Sequence, residues 1–250
     1  MATAIYAFAQ FSDGTFGSFA NASVTAETAT EIQTGGVGIN QASGVSLGQA
    51  FAGKTLVAAS FLVQSDDTTS GAFSYGYILG PTGEMLCPVQ GGGFSGVGLP
   101  RLKKPVRCVP GVKFFAAFDT SADAVGLAAM AVYTARGNSA IFAVKAVDAT
   151  KTAMVDVLTG GTIGQSLAGE RIVCSYQTYP AGKGLNDNQA GNAGYYIESS
   201  DGALKMMVSP SVISSGLAAG EYSQGAGPYV EYAVAIPIGQ NDTLSVMAGL

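Results

Sequence analysis

At 250 residues the chain is long enough for one large domain or two small ones, and 48% hydrophobic residues are ample to fill a core. Only 12% of its residues are charged, against about 25% in an ordinary globular protein, and the balance of 12 Lys+Arg to 17 Asp+Glu leaves a net charge of −5. That excludes a protein whose main task is gripping nucleic acid, which needs a cationic footprint, and the lack of any His removes the commonest general base and metal ligand.

In chain order, the stretch from Met1 to Phe11 has no cationic segment and no continuous apolar run, so no secretory signal is expected. No apolar run approaches the roughly 18 residues of a membrane-spanning helix. Strands are expected at Leu56–Val63, Phe73–Leu79, Val112–Phe118 and Leu127–Tyr133, short runs rich in Val, Phe, Tyr, Ile and Ala between Gly, Pro, Asp or Ser clusters. Ala124–Ala131 is Ala-rich enough to read as helix or strand. Further strands follow at Arg171–Tyr179, Tyr195–Glu198, Leu204–Val208, Tyr229–Ile236 and Thr243–Met247. Pro81-Thr82-Gly83 and Ser200-Asp201-Gly202 read as hairpin turns.

The chain is written twice. Residues 46–57, SLGQAFAGKTLV, align without a gap to residues 162–173, TIGQSLAGERIV. The match extends to Ala4–Ala7 with Ala140–Ala143, Glu31–Gly36 with Asp156–Gly161, Tyr77-Ile78 with Tyr196-Ile197, Gly83–Met85 with Gly202–Leu204, and Gly111–Phe118 with Gly227–Val234. The first copy is placed at 1–138 and the second at 139–250. Seven or eight strands in each make the expected class all-β, two tandem, duplicated domains of β-sandwich or jelly-roll-like form.

Gly48–Thr55 matches G-x-x-x-x-G-K-[ST], in which a phosphate-binding loop offers backbone N–H groups and a Lys to phosphates. Phe114–Asp119 adds a string ending in a carboxylate, as a nucleotide-hydrolysing enzyme requires. The second copy keeps Gly164 and Gly169 but has Glu170-Arg171 where the first has Lys54-Thr55, so a Gly turn is the shared feature. Four cations, Arg101, Lys103, Lys104 and Arg107, crowd one segment, expected as a solvated loop or a contact face with no counterpart in the second copy. Gly91–Gly98 reads as a flexible loop, Asp66-Asp67 and Asp119 with Asp123 as turn carboxylates. Cys87, Cys108 and Cys174 have no metal-type spacing, and Cys174, inside an apolar run, is expected as a buried free thiol.

Low charge, absence of His and Trp, a Gly/Ala-rich β pattern and a doubled domain together resemble viral shell proteins. One relative in style is the double-jelly-roll capsid family, with two related barrels side by side; another is the small β-rich cement or decoration proteins of tailed-phage heads. The resemblance is architectural and spans the whole chain through the repeat. It implies a structural virion protein, made in the host cytoplasm and not an enzyme, with no catalytic, cofactor-binding or metal-binding residue. Its implied partners are copies of itself, as a trimer or higher, and other capsid proteins, with nucleic acid reached only through Arg101–Arg107. A carbohydrate-binding or adhesive β-module of a fibre is the second reading, and a nucleotide-hydrolysing enzyme using Gly48–Thr55 the third.

Overall fold

The computed structural model describes residues 4–21, 28–35, 43–64, 72–89, 99–119, 126–147, 150–177, 190–208, 211–213 and 229–249. The chain divides into two compact units, Met1–Thr120 and Ser121–Leu250. In the first lie β1 (Ala4–Phe11), β2 (Phe16–Asn21), β3 (Thr30–Thr34), α1 (Leu47–Ala50), β4 (Thr55–Gln64), β5 (Ala72–Leu79), β6 (Met85–Val89), β7 (Arg101–Arg107) and β8 (Lys113–Asp119). In the second lie β9 (Gly126–Thr134), β10 (Ser139–Val147), β11 (Thr152–Ala153), β12 (Val155–Asp156), α2 (Ile163–Leu167), β13 (Arg171–Gln177), β14 (Ala190–Glu198), β15 (Leu204–Val208), β16 (Ser211–Ile213), β17 (Val230–Pro237) and β18 (Thr243–Gly249). The all-β, sandwich-like class expected from the sequence is what is seen.

The first unit is one sheet of order β6-β5-β8-β3-β2-β1-β4-β7, whose end strands β6 and β7 approach each other. The second has the orders β12-β10-β9-β13-β17 and β11-β18-β14-β15, with β16 added beside β14. Every described pairing is antiparallel. Matching the strands in sequence makes the two orders the same, with β3 represented by the split pair β11 and β12. In the first unit, β3 reaches β2 through Gln33 and Thr34 and β8 through Thr30–Ile32, so one strand joins the two layers. In both units the first strand (β1, β9) lies between its two neighbours and does not pair with the last, as a jelly-roll winding would have it.

Backbone hydrogen bonds fix the correspondence residue by residue. Gly14 N–H donates to Phe11 O, as Gly137 N–H does to Thr134 O; Gly83 donates to Gly80 O, as Gly202 does to Ser199 O. The turn residues Gly83 and Gly202 have φ of 86° and 82°, the left-handed geometry of the expected hairpin turns. Two expectations are corrected by this register. The boundary falls at Thr120/Ser121 rather than 138/139, because β9, assigned to the first copy, pairs with β10 and β13 and answers to β1. Gly111–Phe118 corresponds to the segment ending in β18, not to Gly227–Val234, and Ala4–Ala7 answers to β9, not to Ala140–Ala143.

β1 alternates buried Ile5, Ala7, Ala9 and Phe11 with exposed or half-exposed neighbours, the period of a strand with one face inward. β9 is buried on both faces from Ala128 to Thr134, which explains why its composition reads as neither helix nor half-buried strand. In the first core Phe11 stacks on Phe51 at 4.3 Å and Phe19 meets Phe114 edge-on at 5.8 Å. The second core is largely aliphatic, with Met130, Val132, Phe142, Ile163, Leu167, Ile172, Ile197 and Leu244 in one cluster.

Candidate functional site

The basic segment forms strand β7, a correction to the loop expected from its charges. Leu102 and Val106 point inward, and Arg101, Lys103, Lys104, Pro105 and Arg107 are exposed. On β4, Leu56 opposes Val106 while Ala58, two residues on, opposes Arg101, five residues back along β7. The extra length is a bulge that pushes Lys103, Lys104 and Pro105 outward. Bulge, Lys and Pro are devices that keep a sheet edge from pairing with a stranger. Five cations elsewhere are matched: Lys54 with Asp13, Lys113 with Glu31, Arg136 with Glu170, Lys151 with Glu198 and Lys205 with Asp242. Among the described residues Arg101, Lys104 and Arg107 join no carboxylate.

This strand does have a counterpart, contrary to the expectation from sequence. Ile236 of β17 opposes Ile172 and Glu231 opposes Cys174, the same register and the same bulge as in β7. Position by position, Arg101 becomes Glu231, Lys103 becomes Ala233, Lys104 becomes Val234 and Arg107 becomes Pro237. Val234 is 76% exposed. One edge is therefore guarded by cations and its equivalent is not.

The Gly48–Thr55 motif is built in the reverse order of a phosphate-binding loop: a four-residue helix, a turn, then strand β4. The N–H of Gly48 donates to Val112 O, that of Gly53 to Cys108 O and that of Lys54 to Phe51 O, so the backbone donors that would cradle an anion are engaged. In the second unit Gly164, Gly169 and Glu170 make the matching bonds to Asp242, Ile238 and Leu167. The glycines have two different tasks. A Cβ on Gly48 would strike Val109 O and come within 2.8 Å of Val112 N, and one on Gly164 would strike Gln240 O; Gly53 and Gly169 have open space but φ of 84° and 80°.

Lys54 and Glu170, opposite in charge at one position, are explained by their partners. The Lys54 ammonium donates to Asp13 Oδ2 and Thr15 Oγ1, both at 2.8 Å. In the second unit Arg136 and Asn138 stand where Asp13 and Thr15 do, and Glu170 receives them at 3.5 and 3.1 Å. The pair is conserved between units with both signs reversed. Hydrogen bonds from Lys54 and then Thr15 hold the Asp13 carboxyl well below the usual carboxylate range.

Sequence reasoning also missed a buried polar chain in the second unit. Gln177 Nε2 donates to Ser175 Oγ at 2.7 Å, Ser175 Oγ and the Tyr232 hydroxyl lie 2.7 Å apart, and that hydroxyl donates to Met206 Sδ at 3.0 Å. Burial pushes the Tyr232 phenol up. The first unit has apolar Ala59, Leu102 and Cys87 at the places of Ser175, Tyr232 and Met206, so the chain of hydroxyls locks one edge strand and is absent from its equivalent. Cys87, Cys108 and Cys174 are free and buried, with Cys108 pushed up to about 11 by burial. Among the described residues no three His, Cys, Asp or Glu side chains gather as metal ligands do. Asp66, Asp67, Asp123 and Gly91–Gly98 lie outside the described residues. Among the described residues no helix is long and apolar enough to cross a membrane. Comparison with protein-family models, with curated proteins and with solved structures finds no match for this chain.

Proposed function

We propose that the protein is a structural subunit that forms or reinforces a shell, of the viral capsid kind, through contacts with copies of itself and with other shell proteins. The observation that carries this reading is large apolar side chains left in water on a chain with little charge. Leu204 (56% exposed) and Met207 (57%) lie on β15, and Val234 on β17. Side chains reach between these strands, from Lys205 Nζ to Pro237 O at 3.3 Å and from Tyr232 to Met206. Large apolar side chains exposed on a chain with so little charge support a surface that a partner covers, and stable interfaces bury roughly 1,200–2,000 Å². The engaged backbone donors around Gly48–Thr55 weigh against the nucleotide-hydrolysing alternative.

Size-exclusion chromatography with light scattering, read beside negative-stain microscopy of the same fraction, tests the proposal. Trimers or larger closed particles are expected. A chain that stays monomeric at high concentration, and binds no particle, overturns it.

A further inference from the structure

We infer that the outer face of the β2-β1-β4-β7 layer in the first unit binds single-stranded nucleic acid, with Phe8 and Phe16 stacking on bases and Arg101 and Arg107 meeting phosphates. The inference goes beyond the assembly reading and does not rest on it. A net charge of −5 confines such binding to one face, and three observations select this one.

First, the pairing register lays rings and cations on the same face. Inward Ile5, Ala7, Ala9 and Phe11 leave Tyr6, Phe8 and Gln10 on the outside of β1. Phe16 opposes Gln10, Gln10 opposes Ala58 and Ala58 opposes Arg101. Phe16 and Arg101 therefore stand in one row across four strands, their backbones about 14 Å apart at about 4.8 Å per strand. Phe8 lies diagonally from Phe16, between Ser18 and Ser60. The two rings are 41% and 53% exposed, and the residues between them and the cations are small. Second, the charge of this layer has one sign. Its four strands carry four cations, all on β7, and no Asp or Glu. Cations alone would suit any polyanion, whereas exposed rings beside them suit one whose bases are unpaired and free to stack. Third, the second unit has closed the equivalent face. Ala131 stands at the place of Phe8, Ser139 at that of Phe16 and Glu231 at that of Arg101. Ala129 and Ala131 are buried there together with Tyr176, whose ring meets Tyr229 edge-on at 5.4 Å. The fold can cover this face with its own tyrosines, and the first unit leaves it open.

Fluorescence anisotropy of a labelled oligo-dT strand, titrated with the full chain over a range of salt, tests the surface. Wild type is expected to bind at low salt, with log K falling against log salt at a slope of about −2 to −3, as three or four phosphate contacts give. Phe8→Ala with Phe16→Ser, which copies the second unit, is expected to weaken binding about tenfold or more at an unchanged slope. Arg101→Ser with Arg107→Ser is expected to weaken it and to flatten the slope by about 1.4. Phe8→Tyr with Phe16→Tyr keeps both rings and is expected to bind as wild type does, which separates lost stacking from a lost fold. A duplex of the same length should bind about tenfold more weakly or worse, because its bases are already stacked. Absence of binding at low salt overturns the inference. So does a loss confined to the Arg variant, or equal affinity for strand and duplex, since either describes a surface for polyanions in general. Light scattering reads the assembly separately, so a monomeric chain that binds the strand defeats the assembly reading and leaves this one standing.

Discussion

At the scale of single residues, Lys54 shows how a motif is absorbed by its surroundings. Its ammonium is held by Asp13 and Thr15, and the same position in the other unit has Glu170 facing Arg136 and Asn138. What the fold requires there is a matched pair, and either sign serves. Asp13 is the measurable end of this pair. Because its folded pKa is depressed, its contribution to stability is present above the ordinary Asp value of about 3.9 and is lost as pH falls through the lower folded value. NMR titration of the Asp13 carboxyl is expected to show it still ionised at pH 3, and Lys54→Met is expected to move its midpoint back toward about 3.9. A wild-type midpoint near 3.9 would show that the pair does not form. The double variant Asp13→Arg with Lys54→Glu, which copies the other unit, should melt closer to wild type than either single change. The sequence displayed the charge swap at position 54 openly, but Asp13 and Arg136 sit outside the ungapped match, so the compensation was hidden.

At the scale of elements, the helix-turn-strand segment is the part of the fold most legible in the sequence. Residues 46–57 and 162–173 keep their register because Gly48 and Gly164 leave no room for a side chain, and Gly53 and Gly169 need a left-handed backbone. Gly48→Ala must displace backbone, and is expected to cost ~3 kcal/mol. Gly53→Ala meets no atom and pays only for its φ, at about 1–2 kcal/mol. Urea denaturation of the two variants checks the order, and equal costs would refute the steric account. The short helices were the overlooked part of this segment. Ser46 with Gln49 and Thr162 with Gln165 have the spacing of a capping box, and in the second unit the box is formed, with Thr162 N–H donating to Gln165 Oε1 at 2.9 Å. β7 was illegible for another reason: its bulge breaks the alternation by which a strand is recognised, so Lys103-Lys104-Pro105 read as a loop. β17 was legible as a strand from Tyr229–Ile236, but its composition matched β8 better than β7, because the cations of β7 disguise the equivalence. Identity of place is carried there by the opposing residues Leu56 and Ile172, which only pairing reveals.

At the scale of the whole molecule, the two units have the same strand order and different interiors. The first is held by stacked Phe side chains, the second by aliphatic residues and the Gln177–Ser175–Tyr232 chain. The second core cluster draws only on residues of its own unit, and each unit is expected to open on its own. The three cysteines report on this without any added label, since Cys87 and Cys108 are buried in the first unit and Cys174 in the second. None is expected to react with a thiol reagent in the native state at pH 8, where Cys108 is also protonated. Under mild urea, Gly48→Ala is then expected to expose Cys87 and Cys108 at least tenfold faster than in wild type and to leave Cys174 protected; about 1.4 kcal/mol of selective destabilisation suffices for that factor. Gly164→Ala is expected to reverse the pattern. Mass-spectrometric mapping of the alkylated sites measures both. If all three cysteines become reactive together in either variant, the units unfold as one cooperative body, and the correspondence between them is a matter of shape without independence.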